Sequence, residues 1–159
     1  ACPCALGYDL NLQSFMPIEG RGGTVTMTTL DDLMKLPGAM AAFEFRGGGE
    51  LLEHRIAYPD RINQSILDLL AHMCAANLSI ATMQARGWEK MTGMEGFYPI
   101  QEFTLIGFDW SVVVSGLLRE QHKQAGKFSL PPLMGVVMAN EKADYEAAFA
   151  ILERKEPVQ

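Results

Sequence analysis

Residues 60–91, DRINQSILDLLAHMCAANLSIATMQARGWEKM, decide how this chain folds, because they carry a helical repeat over the longest distance in the sequence. Pro59-Asp60 supplies an opening signal and the pattern runs to about Met91, which predicts one long helix. Ile62, Ile66, Leu69, Met73, Ala76, Ile80 and Met83 recur at spacings of 4-3-4-3-4-3 and form one apolar stripe. Leu67, Leu70, Cys74, Leu78, Ala81, Ala85 and Trp88 form a second. At about 100° per residue the two stripes cover roughly 200° of the helix surface, whereas a helix lying on one sheet needs little more than about 100°. Something besides its own sheet must cover the surplus. The first stripe keeps a period of about 3.5 residues, which suits pairing with a second copy of the same helix. The alternative is cover from the chain's own loops or terminal helix. Asn77 falls inside the apolar arc, where its amide either fixes the register of a helix pair or bonds a neighbouring backbone group.

Upstream of this helix, Met40 to Arg46 and Glu50 to Ala57 read as two strands, joined by Gly47-Gly48-Gly49. Three glycines supply the positive φ angles of a hairpin turn. With no Lys-Ser or Lys-Thr after them and no helix opening from them, they do not read as a phosphate cradle. Thr28 and Thr29 each precede an aspartate by three positions, the spacing of a capped first turn. A short helix over 29–36 is expected, stopped by Pro37-Gly38. Downstream, β-branched and aromatic residues predict strands over Tyr98–Phe108, Trp110–Leu118 and Leu133–Ala139. Arg119 to Pro132 is too long and polar for a tight hairpin and reads as a protruding loop. Asp144 is placed to cap a last helix carrying Tyr145, Ala148, Phe149 and Leu152 and ending near Lys155. Residues 1–26 show no period and contain Gly20-Arg21-Gly22-Gly23, so they read as a flexible N-terminal extension or tag, with Met27 resembling a natural initiator. One domain over 27–156, with an insertion at 119–132, is the expectation. Two antiparallel groups of strands with a helix crossing between them make it α+β, not a doubly wound nucleotide fold.

The element order resembles the Roadblock/dynein-light-chain superfamily, and segments are closer still to an uncharacterised prokaryotic branch related to it. The matching stretches are Ala41-Ala42-Phe43-Glu44-Phe45, Met73-Cys74-Ala75-Ala76-Asn77, Met83-Gln84-Ala85-Arg86-Gly87-Trp88, Thr92-Gly93-Met94 and Asp109-Trp110-Ser111-Val112-Val113-Val114. Gly135-Val136-Val137 and Glu141-Lys142-Ala143-Asp144-Tyr145 continue the pattern. The resemblance implies a profilin-like, Roadblock-type layer: a five-stranded antiparallel sheet with a long central helix and short terminal helices. It also implies a homodimer built from the long helix and the strand after it, with Ile66, Leu69, Met73, Ala76, Asn77, Ile80, Met83 and Phe103 at the interface. The role it implies is that of a non-catalytic, cytoplasmic scaffold or regulatory module. Its protein partner would be of the kind of a small GTPase or a metabolic enzyme complex. The stretch 1–26 and the loop 119–132 depart from the superfamily pattern.

Composition bounds the alternatives. A chain of 159 residues can bury roughly 70% of its unfolded surface and needs no disulfide or metal to fold. Its net charge of -6 argues against a sequence-independent hold on nucleic acid, which needs clustered Lys and Arg. No apolar run is expected to span a membrane. Three cysteines make no even framework, which suits a reducing compartment. Cys2-Pro3-Cys4 is a weak candidate for thiol redox or soft-metal binding, since further ligands at usual spacing are missing. Cys74 falls on the apolar arc as a small hydrophobe, with His72 poorly aimed to activate it. Ser111 and Ser115 lack a nucleophile-elbow context, and Asp31-Asp32 reads as helix-start charge. No enzyme and no cofactor are expected. Core filling accounts for most of the ten methionines, with Met73, Met83 and Met91 as candidates for an adaptable binding face. Trp88 and Trp110 read as core or interface anchors. A small-molecule pocket between sheet and helix is the other function class that such a layer allows.

Overall fold

The computed structural model describes residues 28–115 and 132–153. The expected extension at 1–26 with Cys2 and Cys4, the strand end at 116–118, the loop 119–132 save for Pro132, and the chain after Glu153 lie outside the described residues. Thr29 is the N-cap of α1, Leu30–Leu33. Its hydroxyl accepts from the Asp32 N–H at 3.2 Å, and the Asp32 carboxylate accepts from the Thr29 N–H at 3.2 Å. This reciprocal pair satisfies two orphan donors of the first turn. The helix is shorter than the predicted 29–36. Lys35 and Leu36 donate to carbonyls only three residues back, at Asp32 and Leu33, so the chain tightens into turns before Gly38.

Strands β1, Ala39–Phe45, and β2, Leu51–Ile56, form the expected hairpin. Of its three glycines only the last takes the positive φ expected of the turn. Gly49 has φ +96°, and a Cβ there would come 2.7 Å from the Cα of His72 on the long helix.

That helix, α2, is Gln64–Thr92. The predicted opening at Pro59-Asp60 is corrected by four residues. Arg61 and Ile62 both donate to the Tyr58 carbonyl and form a turn. Asn63, in extended conformation, caps the helix by accepting from the Ile66 N–H at 3.0 Å. Ile62, placed in the first stripe, therefore lies ahead of the helix and is buried.

The chain returns through β3, Glu102–Ile106, β4, Trp110–Ser115, and β5, Leu133–Ala139. A single 3-10 turn, Asn140–Lys142, leads to α3, Tyr145–Leu152, capped by Asp144 as expected. Strand β3 is cut at both ends relative to the predicted Tyr98–Phe108. At its start, the N–H groups of Gly96 and Tyr98 both donate to one Glu89 carboxylate oxygen at 3.0 Å, tying the segment back to α2. At its end, Gly107 donates to the Trp110 carbonyl at 2.8 Å and closes the turn into β4.

The five strands form one antiparallel sheet in the order β2-β1-β5-β4-β3. Alternation along each strand divides the core. On one face Phe43, Phe45, Val112, Val114 and Val137 pack with Leu67, Leu70, Ala71, Cys74 and Ala75 of α2. On the other face Ala42, Val113, Val136 and Met138 pack with Leu30 and Leu33 of α1 and Ala148 and Leu152 of α3. Gly135 lies under the Phe43 ring, and a Cβ there would fall 2.7 Å from it. On β2, Arg55 bonds Asp31 of α1 at 3.0 Å and Glu53 at 2.8 Å. Strand β3 forms the other border of the sheet.

Candidate functional site

The second stripe of α2 faces the sheet and the first does not. Leu67, Leu70, Cys74 and Ala85 are buried, whereas Leu69 is 70% exposed, Met83 67% and Ile80 51%. Ile66, Met73 and Ala76 are exposed on the same line. From Ile66 to Met83 the line runs about 26 Å at the helical rise. The described part of the chain thus leaves a long apolar strip of its central helix in water.

Asn77 is half-buried beside this strip, and its amide donates to the Met73 carbonyl at 2.8 Å. It bonds neighbouring backbone within the single chain, the second of the two roles foreseen for it. Phe103 is half-buried on β3 and packs against the core on the α2 side. Strand β3 is an edge strand whose outer backbone groups have no strand partner among the described residues.

Core filling does not describe Met73, Met83 or Met91, since all three are exposed; Met138 alone among the described methionines is fully buried. Trp88 is also exposed, with its ring 6.4 Å from that of Phe97 on the returning segment. Arg86 holds the same segment, with its guanidinium over the Tyr98 ring and a 2.6 Å bond to the Tyr98 hydroxyl. At the opposite end of the sheet, Ile106, Phe108 and Trp110 are exposed around the β3–β4 turn.

Chemical candidates are few. Cys74 is a free thiol buried against the sheet, and burial pushes its pKa up to about 12, so it stays protonated at neutral pH. His72 is exposed, with its Nδ1 2.8 Å from the Asp68 carbonyl. The Ser115 hydroxyl is engaged with the Met134 backbone, donating to its carbonyl at 3.2 Å and accepting from its N–H at 3.0 Å. The Ser111 hydroxyl is buried with no hydrogen-bond partner among the described residues. Among the described residues no three His, Cys, Asp or Glu side chains converge as a metal site.

One expectation needs correction. By length and composition α2 is apolar enough to cross a membrane, although no such run was expected. The extra greasiness is the sum of its two stripes, of which one is packed on the sheet of the same domain. That packing marks it as a core helix.

Solved structures with the same arrangement define the fold class. The gliding protein mglB from Thermus thermophilus superposes with a TM-score of 0.55 at 22% identity, over 79% of this chain and 78% of that one. MglB of Myxococcus xanthus gives 0.52 at 15% identity, over 79% and 84%. A Roadblock/LC7 domain from Streptomyces avermitilis gives 0.51 at 10% identity, over 78% and 85%. At such identities the likeness is one of fold, and the fold is Roadblock-like. By sequence, the chain belongs to the family described as "Uncharacterized conserved protein (DUF2173)", whose model matches residues 29–119. No curated protein matches it.

Proposed function

We propose that this chain is a non-catalytic interaction module that pairs with a second copy through the exposed strip of α2 and the outer edge of β3, and that the pair docks a protein partner. The observation that carries this reading is the strip from Ile66 to Met83, apolar at a period of about 3.5 residues and uncovered among the described residues. A helix seam about 26 Å long and about 10 Å wide amounts to a few hundred Å². A stable interface buries about 800 Å² on each side, so the seam needs a neighbour, and the β3 edge is the natural one. Phe103 would sit where helix and edge strand meet. Asn77, tied to its own helix, would trim the seam instead of fixing its register.

A relative of the same fold gives further support. One MglB structure, 21% identical over 79% of this chain and 83% of that one with a TM-score of 0.52, is described in a tetrameric arrangement. The Roadblock resemblance suggests a small GTPase or a metabolic enzyme complex as the partner. Cys74 supports the non-catalytic side of the proposal, because its thiol is sealed and held protonated. The same free thiol suits a cytoplasmic, reducing setting.

Sedimentation equilibrium of the full chain over a hundredfold concentration range tests the pairing. A mass of two chains, giving way to one on dilution, is expected. A folded chain that stays single at every concentration would overturn the proposal. Capture of the native protein from its cell, followed by mass spectrometry, then names the docked partner.

A further inference from the structure

A cavity of about 320 Å³ opens between the start of α2 and one end of the sheet. This volume is at the lower end of the range for small-molecule sites, about 300–1,000 Å³. Ile62, Leu70, Val137 and Met40 give it an apolar interior, and Trp110 lies at its margin. Met40 reaches this side of the sheet because β1 carries an irregularity there: the register with β5 slips between Ala39 and Ala41. Such bulges re-aim a side chain at the cost of a ladder bond.

Two residues of opposite charge line the same cavity, Arg61 from the turn before α2 and Asp109 from the β3–β4 turn. Both are exposed. Among the described residues neither side chain is in a hydrogen bond or an ion pair, with the other or with any third group. A guanidinium and a carboxylate that share a cavity wall without bonding each other present two separate, complementary points to a ligand. Arg offers a carboxylate two parallel N–H donors, and Asp accepts from an ammonium. The ammonium could also lie against the face of Trp110.

We infer that this cavity binds a small zwitterion with an apolar body, of the free α-amino acid class, its carboxylate met by Arg61, its ammonium by Asp109 and its side chain seated over Met40, Leu70 and Val137. Ile66, which begins the exposed strip of α2, also lines the cavity; the test reads ligand binding by the chain itself, so its failure is distinguishable from failure of the interaction-module proposal.

Isothermal titration calorimetry of the full chain with free L-phenylalanine and L-leucine tests it. Phenylpropanoate and phenethylamine, which each lack one of the two charges, serve as controls. Saturable binding of at least one amino acid is expected, with each single-charge control weaker by about tenfold, the scale of one lost charge-assisted bond. The Arg61→Gln and Asp109→Asn variants, both at exposed positions, should each weaken the amino acid by a similar factor. Arg61→Gln should no longer distinguish phenylalanine from phenethylamine. Absence of binding at millimolar concentration overturns the inference. So does binding of a single-charge control as tight as that of the zwitterion, or binding that survives both variants unchanged.

Discussion

Replacing Ile80 by aspartate separates the two roles that an apolar residue on α2 can have. Ile80 stands in the middle of the exposed strip, 51% exposed in the single chain. Complete burial of an isoleucine side chain contributes about 1.5–3 kcal/mol, so covering the open half contributes about 1 kcal/mol per copy and about 2 kcal/mol in a twofold pair. An aspartate in the same seam forfeits that and adds the desolvation of two unpaired carboxylates, about 1–3 kcal/mol each. The loss is at least about 4 kcal/mol, a weakening of self-association by about a thousandfold. Within one chain the change forfeits the half already covered and should lower stability by only about 1 kcal/mol. Sedimentation equilibrium reads the first effect and thermal melting of a dilute sample the second. Phe108→Asp, at the fully exposed β3–β4 turn, is the matched control and should leave association unchanged. If Ile80→Asp associates as tightly as the parent, the strip is not the seam. If it unfolds, the residue belongs to the core and the division of α2 into two faces is wrong.

Other expectations follow from the core and its ends. Gly135→Val must push the Phe43 ring aside, since even a Cβ would approach it to 2.7 Å; overpacking of about 1–3 kcal/mol should lower the melting temperature by about 2–12 °C in calorimetry. Cys74 should resist iodoacetamide at pH 8 in the native protein and react once the chain is unfolded, as read by peptide mass spectrometry. Its folded pKa of about 12 lies above the ordinary 9.0, so the unfolded chain loses the proton first. Stability should therefore fall as pH rises above about 9, and Cys74→Ala should flatten that slope. Thr29→Ala removes the cap of α1 and should cost about 1 kcal/mol near neutral pH. The Asp32 carboxylate is held at about 2 by its bonds to Lys35 and Thr29, below the ordinary 3.8. The share of the cap that runs through this carboxylate is complete above pH 3.8 and fades as pH falls through 2, so the melting difference between Thr29→Ala and the parent should narrow, without vanishing, over that window.

The long helix and both hairpins were legible in the sequence because their signals are local. Apolar spacing along α2, the glycine triplet and the Thr29–Asp32 pair each report their own geometry within a few residues. What escaped was set by contacts distant in sequence or by competing caps. Asn63 outcompeted Asp60 as the start of α2 because Tyr58 takes the preceding N–H groups into a turn. The shortening of β3 depends on Glu89, which lies on the helix before it and holds the return segment. The surplus apolar arc was readable, yet which stripe would face the sheet was not, since Leu70 and Leu69 are equally greasy and only the packed sheet tells them apart. The presence of Arg61 and Asp109 on one cavity was invisible, because 48 positions divide two residues that carry no motif.

The two borders of the sheet bear on how far assembly can go. Arg55, clasped by Asp31 and Glu53, fences the β2 border with charge, a feature that discourages a further strand from adding there. The β3 border has no strand partner among the described residues. A meeting of two copies, β3 against β3, would consume the open border of each and leave both far ends fenced. Growth would then stop at two chains in the sheet direction, giving a closed particle in place of a fibre.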